Sequence, residues 1–177
     1  RWARMSIIKM TGNAIGRHSS GSTLIEVLAS LLIVSFGMLS IAGLQTVGLR
    51  NNQSAYFRTQ AIMYTSDMVE RMRANIAAVD VAAYDDIAGG DTAACFLVIG
   101  CTGAQMAAQD INDWENEIVA MLPSGDSVVC LDSTADDGTA AAKACDGLGR
   151  VYAIKVWWDD NRDGTANQRY VLSFQPL

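Results

Sequence analysis

From Ser22 to Leu44 the chain is almost wholly apolar, built of Leu, Ile, Val, Ala, Met, Phe, Gly, Ser and Thr, and Glu26 is its only charge. As a helix rising ~1.5 Å per residue, such a run crosses a bilayer. The helical pattern continues beyond it. Phe57, Ala61, Tyr64, Met68, Met72, Ile76 and Val79 recur at three- and four-residue steps, which lays them along one helix face. Arg50, Arg58, Asp67, Glu70, Arg71 and Arg73 fall on other faces. No proline precedes Pro123, so one continuous helix is predicted from Ser22 to about Ala74. At roughly 53 residues it would be about 80 Å long. Only part of that length fits a membrane, and the amphipathic remainder needs a globular partner to cover its apolar face.

Beyond that helix the periodicity shortens. Asp80 to Gly90 is acidic and Gly-containing, which predicts a loop. Phe96 to Ile99 is a short strand-like run between two cysteines. Asp110 to Leu122 predicts a second helix, with Ile111, Trp114, Ile118 and Met121 or Leu122 as its apolar face, Asp110 as N-cap and Pro123 as its stop. Val128–Leu131, Val151–Trp158 and Arg169–Phe174 predict strands, the last two joined by an Asp-rich turn. Trp157 and Trp158 are neighbours in a strand, so one should pack inward and one should face solvent. The predicted fold class is α+β, a long N-terminal helix packed on a C-terminal antiparallel sheet.

Charge divides the chain unevenly. Arg1, Arg4, Lys9 and Arg17 supply all the charge before Gly21 apart from the nearly neutral His18. Without residues 1–21 the basic count drops from 13 to 9 against 19 acidic residues, a net charge of −10. That surface disfavours nucleic-acid binding, which needs clustered Lys and Arg. His18 is the single histidine. Without it no Ser-His-Asp or Cys-His nucleophile and no His-ligated metal can be built. Paired carboxylates are abundant but no pair stands out, so no enzyme is expected.

Four cysteines, Cys95, Cys101, Cys130 and Cys145, lie in the C-terminal half without a C-x-x-C pair. In an exported domain an even count reads as two disulfides. Three connectivities are possible. The local pairing Cys95–Cys101 with Cys130–Cys145 is favoured because each closes a short loop.

The junction between the basic segment and the apolar run reads Gly21-Ser22-Thr23-Leu24-Ile25-Glu26. A charge there is costly in a bilayer and marks a function. Thr23 and Glu26 also have the spacing of a capping box, which is compatible with any further role. A basic leader, a Gly, then Ser-Thr-Leu-Ile-Glu and an uncharged helix resemble the prepilin signal of type IV pilins. The resemblance implies that a prepilin peptidase cuts between Gly21 and Ser22 and methylates the new amino terminus of Ser22. Glu26 then becomes the fifth mature residue and pairs with an amine of a neighbouring subunit during assembly. Ser22 departs from the Phe usual at that place. The competing arrangement is a secretory signal, with Ser40-Ile41-Ala42 as a cleavage motif before Gly43. Met5 and Met10 are candidate translation starts.

Asn52-Gln53-Ser54-Ala55-Tyr56, Asp67-Met68, Glu70-Arg71-Met72-Arg73-Ala74-Asn75, Asp110-Ile111-Asn112-Asp113-Trp114 and Leu122-Pro123-Ser124-Gly125 resemble PilV-type minor pilins. A local alternative is that Arg71 and Arg73 are a solvated face, paired at i,i+3 or i,i+4 with Asp67 and Glu70. The PilV resemblance implies three parts: a cleaved leader over 1–21, a transmembrane and filament-core helix half over 22–44, and a periplasmic headgroup over 45–177. It further implies a minor pilin that joins other minor pilins and the major pilin to prime or cap pilus assembly. Such filaments serve adhesion, twitching motility and DNA uptake. The location implied is the bacterial inner membrane, single-pass, and then the cell-surface pilus. A minor pseudopilin of a type II secretion system shares the leader and helix and is the alternative.

A third class is a membrane-anchored or secreted calcium-binding domain. Asp159-Asp160-Asn161-Arg162-Asp163-Gly164 matches the first half of a calcium loop, with Asp159, Asn161 and Asp163 as candidate metal ligands. Tyr170 stands where the bidentate Glu of such loops would be. The same residue types make ordinary hairpin turns. Calcium is the one candidate cofactor.

Overall fold

A computed structural model of the protein describes residues 23–176. The leader, Gly21 and Ser22 lie outside the described residues. Elements follow in the order α1 (Thr23–Ala74), α2 (Ile76–Asp80), a 3₁₀ turn (Ala93–Phe96), α3 (Gly103–Met121), β1 (Asp126–Leu131), β2 (Tyr152–Trp158) and β3 (Gln168–Phe174). This is α+β, with a long N-terminal helix and an antiparallel three-stranded sheet of order β1-β2-β3. Internal contacts divide the chain into two units, Arg1–Val47 and Gly48–Leu177.

Within the second unit, α1 buries Phe57, Ala61, Thr65, Met68, Val69 and Met72. Met68 and Met72 are fully enclosed. α3 adds Ala107, Ile111, Trp114 and Ile118, and one sheet face adds Val129, Tyr152, Ile154, Val156, Trp158 and Phe174 to the same core. The Trp114 Nε1–H donates to the Tyr64 carbonyl at 2.9 Å, pinning α3 on α1. Register follows the period-two pattern: Ile154 lies between Val129 of β1 and Leu172 of β3.

The structure corrects four sequence expectations. Helix α1 ends at Ala74 and restarts as α2 after Asn75, so Ile76 rotates off the apolar stripe and is exposed while Ala78 and Val79 are buried. Phe96–Ile99 is no strand: a 3₁₀ turn and bend carry it, because the Cys95–Cys101 disulfide closes the chain on itself too tightly for an extended run. Asp110 is not an N-cap. α3 starts seven residues earlier, where Thr102 and Gln105 form a capping box. Trp157 does not face solvent, because the segment following β1 folds over the far side of the sheet.

Pro123 follows the end of α3 as predicted for a stop signal, and Gly125 completes the turn. The Gly125 N–H donates to the Leu122 carbonyl at 3.0 Å. A Cβ at Gly125 would lie 2.7 Å from the Ile118 carbonyl oxygen, so only glycine fits this turn.

Candidate functional site

Every residue from Thr23 to Gln53 is exposed. Leu24, Leu39 and Leu44 are each more than 70% exposed, so this half of α1 buries none of its apolar surface within the chain. Its most apolar 18-residue window has a mean hydropathy of 2.3. Four of its hydroxyls are satisfied within the helix. Ser35 and Ser40 donate to the Leu31 and Phe36 carbonyls at 2.7 and 2.9 Å, and Ser30 and Thr46 do the same at 2.9 and 3.0 Å. Such back-bonding hides hydroxyls from an apolar environment. Glu26 is exposed in the first turn, where the helix N-terminus favours an acid. The surface is suited to an apolar surround such as lipid.

At the other end of α1 the chain builds a polar junction. The Asn75 side chain donates to the Tyr84 hydroxyl at 3.1 Å and to the Gly103 carbonyl at 2.8 Å. Tyr84 in turn donates to Asp110 Oδ2 at 2.6 Å. Arg71 pairs with Asp67 at 2.7 Å and reaches Asp110 at 3.8 Å and Glu117 at 3.6 Å. Burial pushes the Asp110 carboxyl upward, against the Tyr84 hydrogen bond and the Arg71 charge. Burial alone would lower the Arg71 guanidinium, but Asp67, Glu117 and Asp110 outweigh it and hold it above its ordinary value. Arg73 keeps the local pair with Glu70 at 2.6 Å and lies 5.8 Å from the Phe174 ring centroid. Arg71 is therefore more than a solvated face: it ties α1 to α3.

All of Asp67, Arg71, Asn75, Tyr84 and Asp110 fall inside one matched stretch. A family model described as "Tt1218-like: Type IV pilin Tt1218" matches residues 43–112, which comprise the second part of α1, all of α2 and the first part of α3. Over that stretch, somewhat under half of its length, the chain is similar to this type IV pilin family. No curated protein and no solved structure matches it. The exposed apolar half of α1 is long and apolar enough to cross a membrane.

The far face of the sheet carries a site that sequence reading missed. Lys155, mid-strand in β2, is fully buried, with Asp132 Oδ2 at 2.5 Å and Asp137 Oδ1 at 2.9 Å. The Lys143 carbonyl lies at 3.1 Å. Burial alone would lower this ammonium, yet the two carboxylates hold it above the usual lysine range. The signal available was a lone lysine between Ile154 and Val156, in a strand buried on both faces. The Cys130–Cys145 disulfide closes the same cover, and Cys145, Ala140 and Ala166 pack on the cluster of Val128, Cys130 and Trp157. Cys95 and Cys101 form the second bridge. Phe96, Leu97, Val98 and Ile99, which it encloses, are all exposed.

The three calcium-loop residues occupy the β2–β3 turn. Asp159 is buried, whereas Asn161 and Asp163 are exposed. Arg162 between them lies 5.8 Å from the Phe57 ring centroid, which fastens the turn to α1.

Proposed function

We propose that this chain is a PilV-type minor pilin that joins other minor pilins and the major pilin to prime or cap a type IV pilus. One observation carries the reading: α1 runs unbroken from a fully exposed apolar half into a half whose buried face belongs to the domain core. A secretory signal cut before Gly43 would discard the first half of a helix whose second half is part of that core. A subunit that moves from bilayer to filament needs both halves in one piece. The pilin family match over residues 43–112 supports the same reading.

On this reading, prepilin peptidase cuts between Gly21 and Ser22 on the cytoplasmic side of the inner membrane and methylates the new amine. The mature chain is single-pass, with its domain in the periplasm, and later enters the surface pilus. Glu26 then meets the terminal amine of an adjacent subunit, converting an isolated carboxylate in an apolar surround into an ion pair. The deciding measurement is mass spectrometry of the mature N-terminus. Ser22 as first residue, N-methylated, is expected; Gly43 as first residue would sink the pilin reading. Glu26→Ala should be cleaved normally yet be lost from sheared pili, and normal incorporation would refute the pairing.

A further inference from the structure

The β2–β3 turn holds a buried acid for which the described residues supply no ion-pair partner. Asp159 is 1% exposed, and its Oδ1 has no hydrogen-bond partner. Its Oδ2 accepts the Gly164 N–H at 2.6 Å, so the carboxylate faces the inside of the turn. Among the described residues no Lys or Arg forms an ion pair with it. Oδ1 of the adjacent Asp160 is likewise buried and unpartnered. Asp132 Oδ2 is also buried without a well-aligned hydrogen bond, but it faces the Lys155 ammonium at 2.5 Å, whereas no such cation faces Asp159 among the described residues.

A turn does not require this arrangement. One accepted N–H would be supplied equally well by a neutral Asn, without the desolvation of a charge. An uncompensated buried carboxylate is retained where something positive arrives from outside the fold.

We infer that the turn Asp159–Thr165 binds one calcium ion, with Asp159 Oδ1 as its buried ligand. Side-chain oxygens at 159, 161 and 163 alternate along the chain, and the Thr165 carbonyl occupies the place from which such loops contribute backbone oxygen. Gly164 takes φ +91°, and a side chain there would be strained. Asp163 uses only Oδ1, to accept the Thr165 N–H at 2.9 Å. Among the described residues no three acidic, Cys or His side chains already converge on one point. Asp159 is therefore the fixed half of the site, and exposed Asn161 and Asp163 swing onto the ion when it binds.

The donor set is oxygen alone, which suits a hard cation and excludes the nitrogen and sulfur preferences of zinc. Magnesium needs near-ideal octahedral geometry and gives up water reluctantly, which a site with one buried and two exposed side-chain ligands does not enforce. With Tyr170 in place of a bidentate Glu, water completes the sphere. Affinity then falls in the ~10⁻⁴–10⁻³ M range of extracellular modules. The inference stands independently of the filament reading.

The test is thermal unfolding of the full chain in detergent micelles, with EGTA, with calcium and with magnesium. At about 10 mM calcium, Tm should rise by roughly 3–10 °C over EGTA, and magnesium should give far less. Asp163→Ala should lose most of that rise while its Tm in EGTA stays within about 2 °C of the parent. Asp159→Asn should lose the rise and also gain stability in EGTA, because the buried charge goes and the acceptor for Gly164 stays. No rise with calcium, an equal rise with magnesium, or a full rise in Asp163→Ala would each overturn the inference.

Discussion

Lys155 Nζ and Asp132 Oδ2 stand 2.5 Å apart, and neither side chain is exposed. The lysine comes from the middle of β2 and the acid from just after β1, so the pair clamps the segment after β1 over the far sheet face. Lys155→Met removes the cation and leaves Asp132 buried alone, a loss of about 3–5 kcal/mol. The double variant Lys155→Met, Asp132→Leu should regain most of it, since neither charge then remains to be desolvated. Denaturant titration of the two variants measures both effects. A single variant as stable as the parent would show that the clamp holds nothing.

The two disulfides should contribute unequally. Cys130 and Cys145 are 15 residues apart and enclose the cover on Trp157. Cys95 and Cys101 are 6 apart and enclose exposed residues. Replacing Cys130 and Cys145 by Ala should cost about 3 kcal/mol from chain entropy alone, and should red-shift tryptophan emission as Trp157 meets water. Replacing Cys95 and Cys101 should cost less and leave the emission unchanged. Equal costs and spectra would contradict this division.

At the α1–α3 junction, Tyr84→Phe removes at once the acceptor of one N–H of the buried Asn75 amide and the donor to the half-buried Asp110 Oδ2. The expected cost is about 1–3 kcal/mol. A Tyr84→Phe, Asp110→Ala cycle should give a coupling of about 0.5–3 kcal/mol, read from unfolding free energies. Additive single effects would show that the hydroxyl and the carboxylate act separately.

Alkali should unfold the domain through its tyrosines. Burial pushes Tyr152 up to about 12, with Asp85 and Asp80 adding to the shift. The Tyr152 hydroxyl also donates to the Val79 carbonyl at 3.1 Å. Burial, with the Asp110 hydrogen bond next, raises Tyr84 as well. The ordinary tyrosine value is about 10. Between that value and the folded ones the unfolded chain binds fewer protons than the folded chain, so stability falls as pH rises. It should be level in this respect below about pH 9 and drop from about pH 10 to 12. Tyr152→Phe should flatten part of that slope, as measured by denaturant titration across the range.

The long helix was legible because its signals are local and redundant: an apolar run, then a stripe at three- and four-residue steps, without a proline. The three strands and the stop at Pro123 were legible for the same reason. Misjudged elements depended on distant groups. Asp110 has the residue type of an N-cap, and only the packing of the 81–90 loop brings Tyr84 to it. Phe96–Ile99 has strand composition, and ring closure by two cysteines overrides it.

By itself the sequence determined the α+β order, the membrane-length run with one carboxylate, the charge asymmetry and the half-match to a calcium loop. Those follow from periodicity, composition and spacing along one chain. Only the tertiary structure decided that both Trp157 and Trp158 are buried, that Lys155 neutralises Asp132, and that Asp159 has no such partner. Whether a buried charge is balanced depends on which groups the fold brings within a few ångströms. Residues that sequence places 23 positions apart, such as Asp132 and Lys155, meet only when the sheet forms and its cover closes.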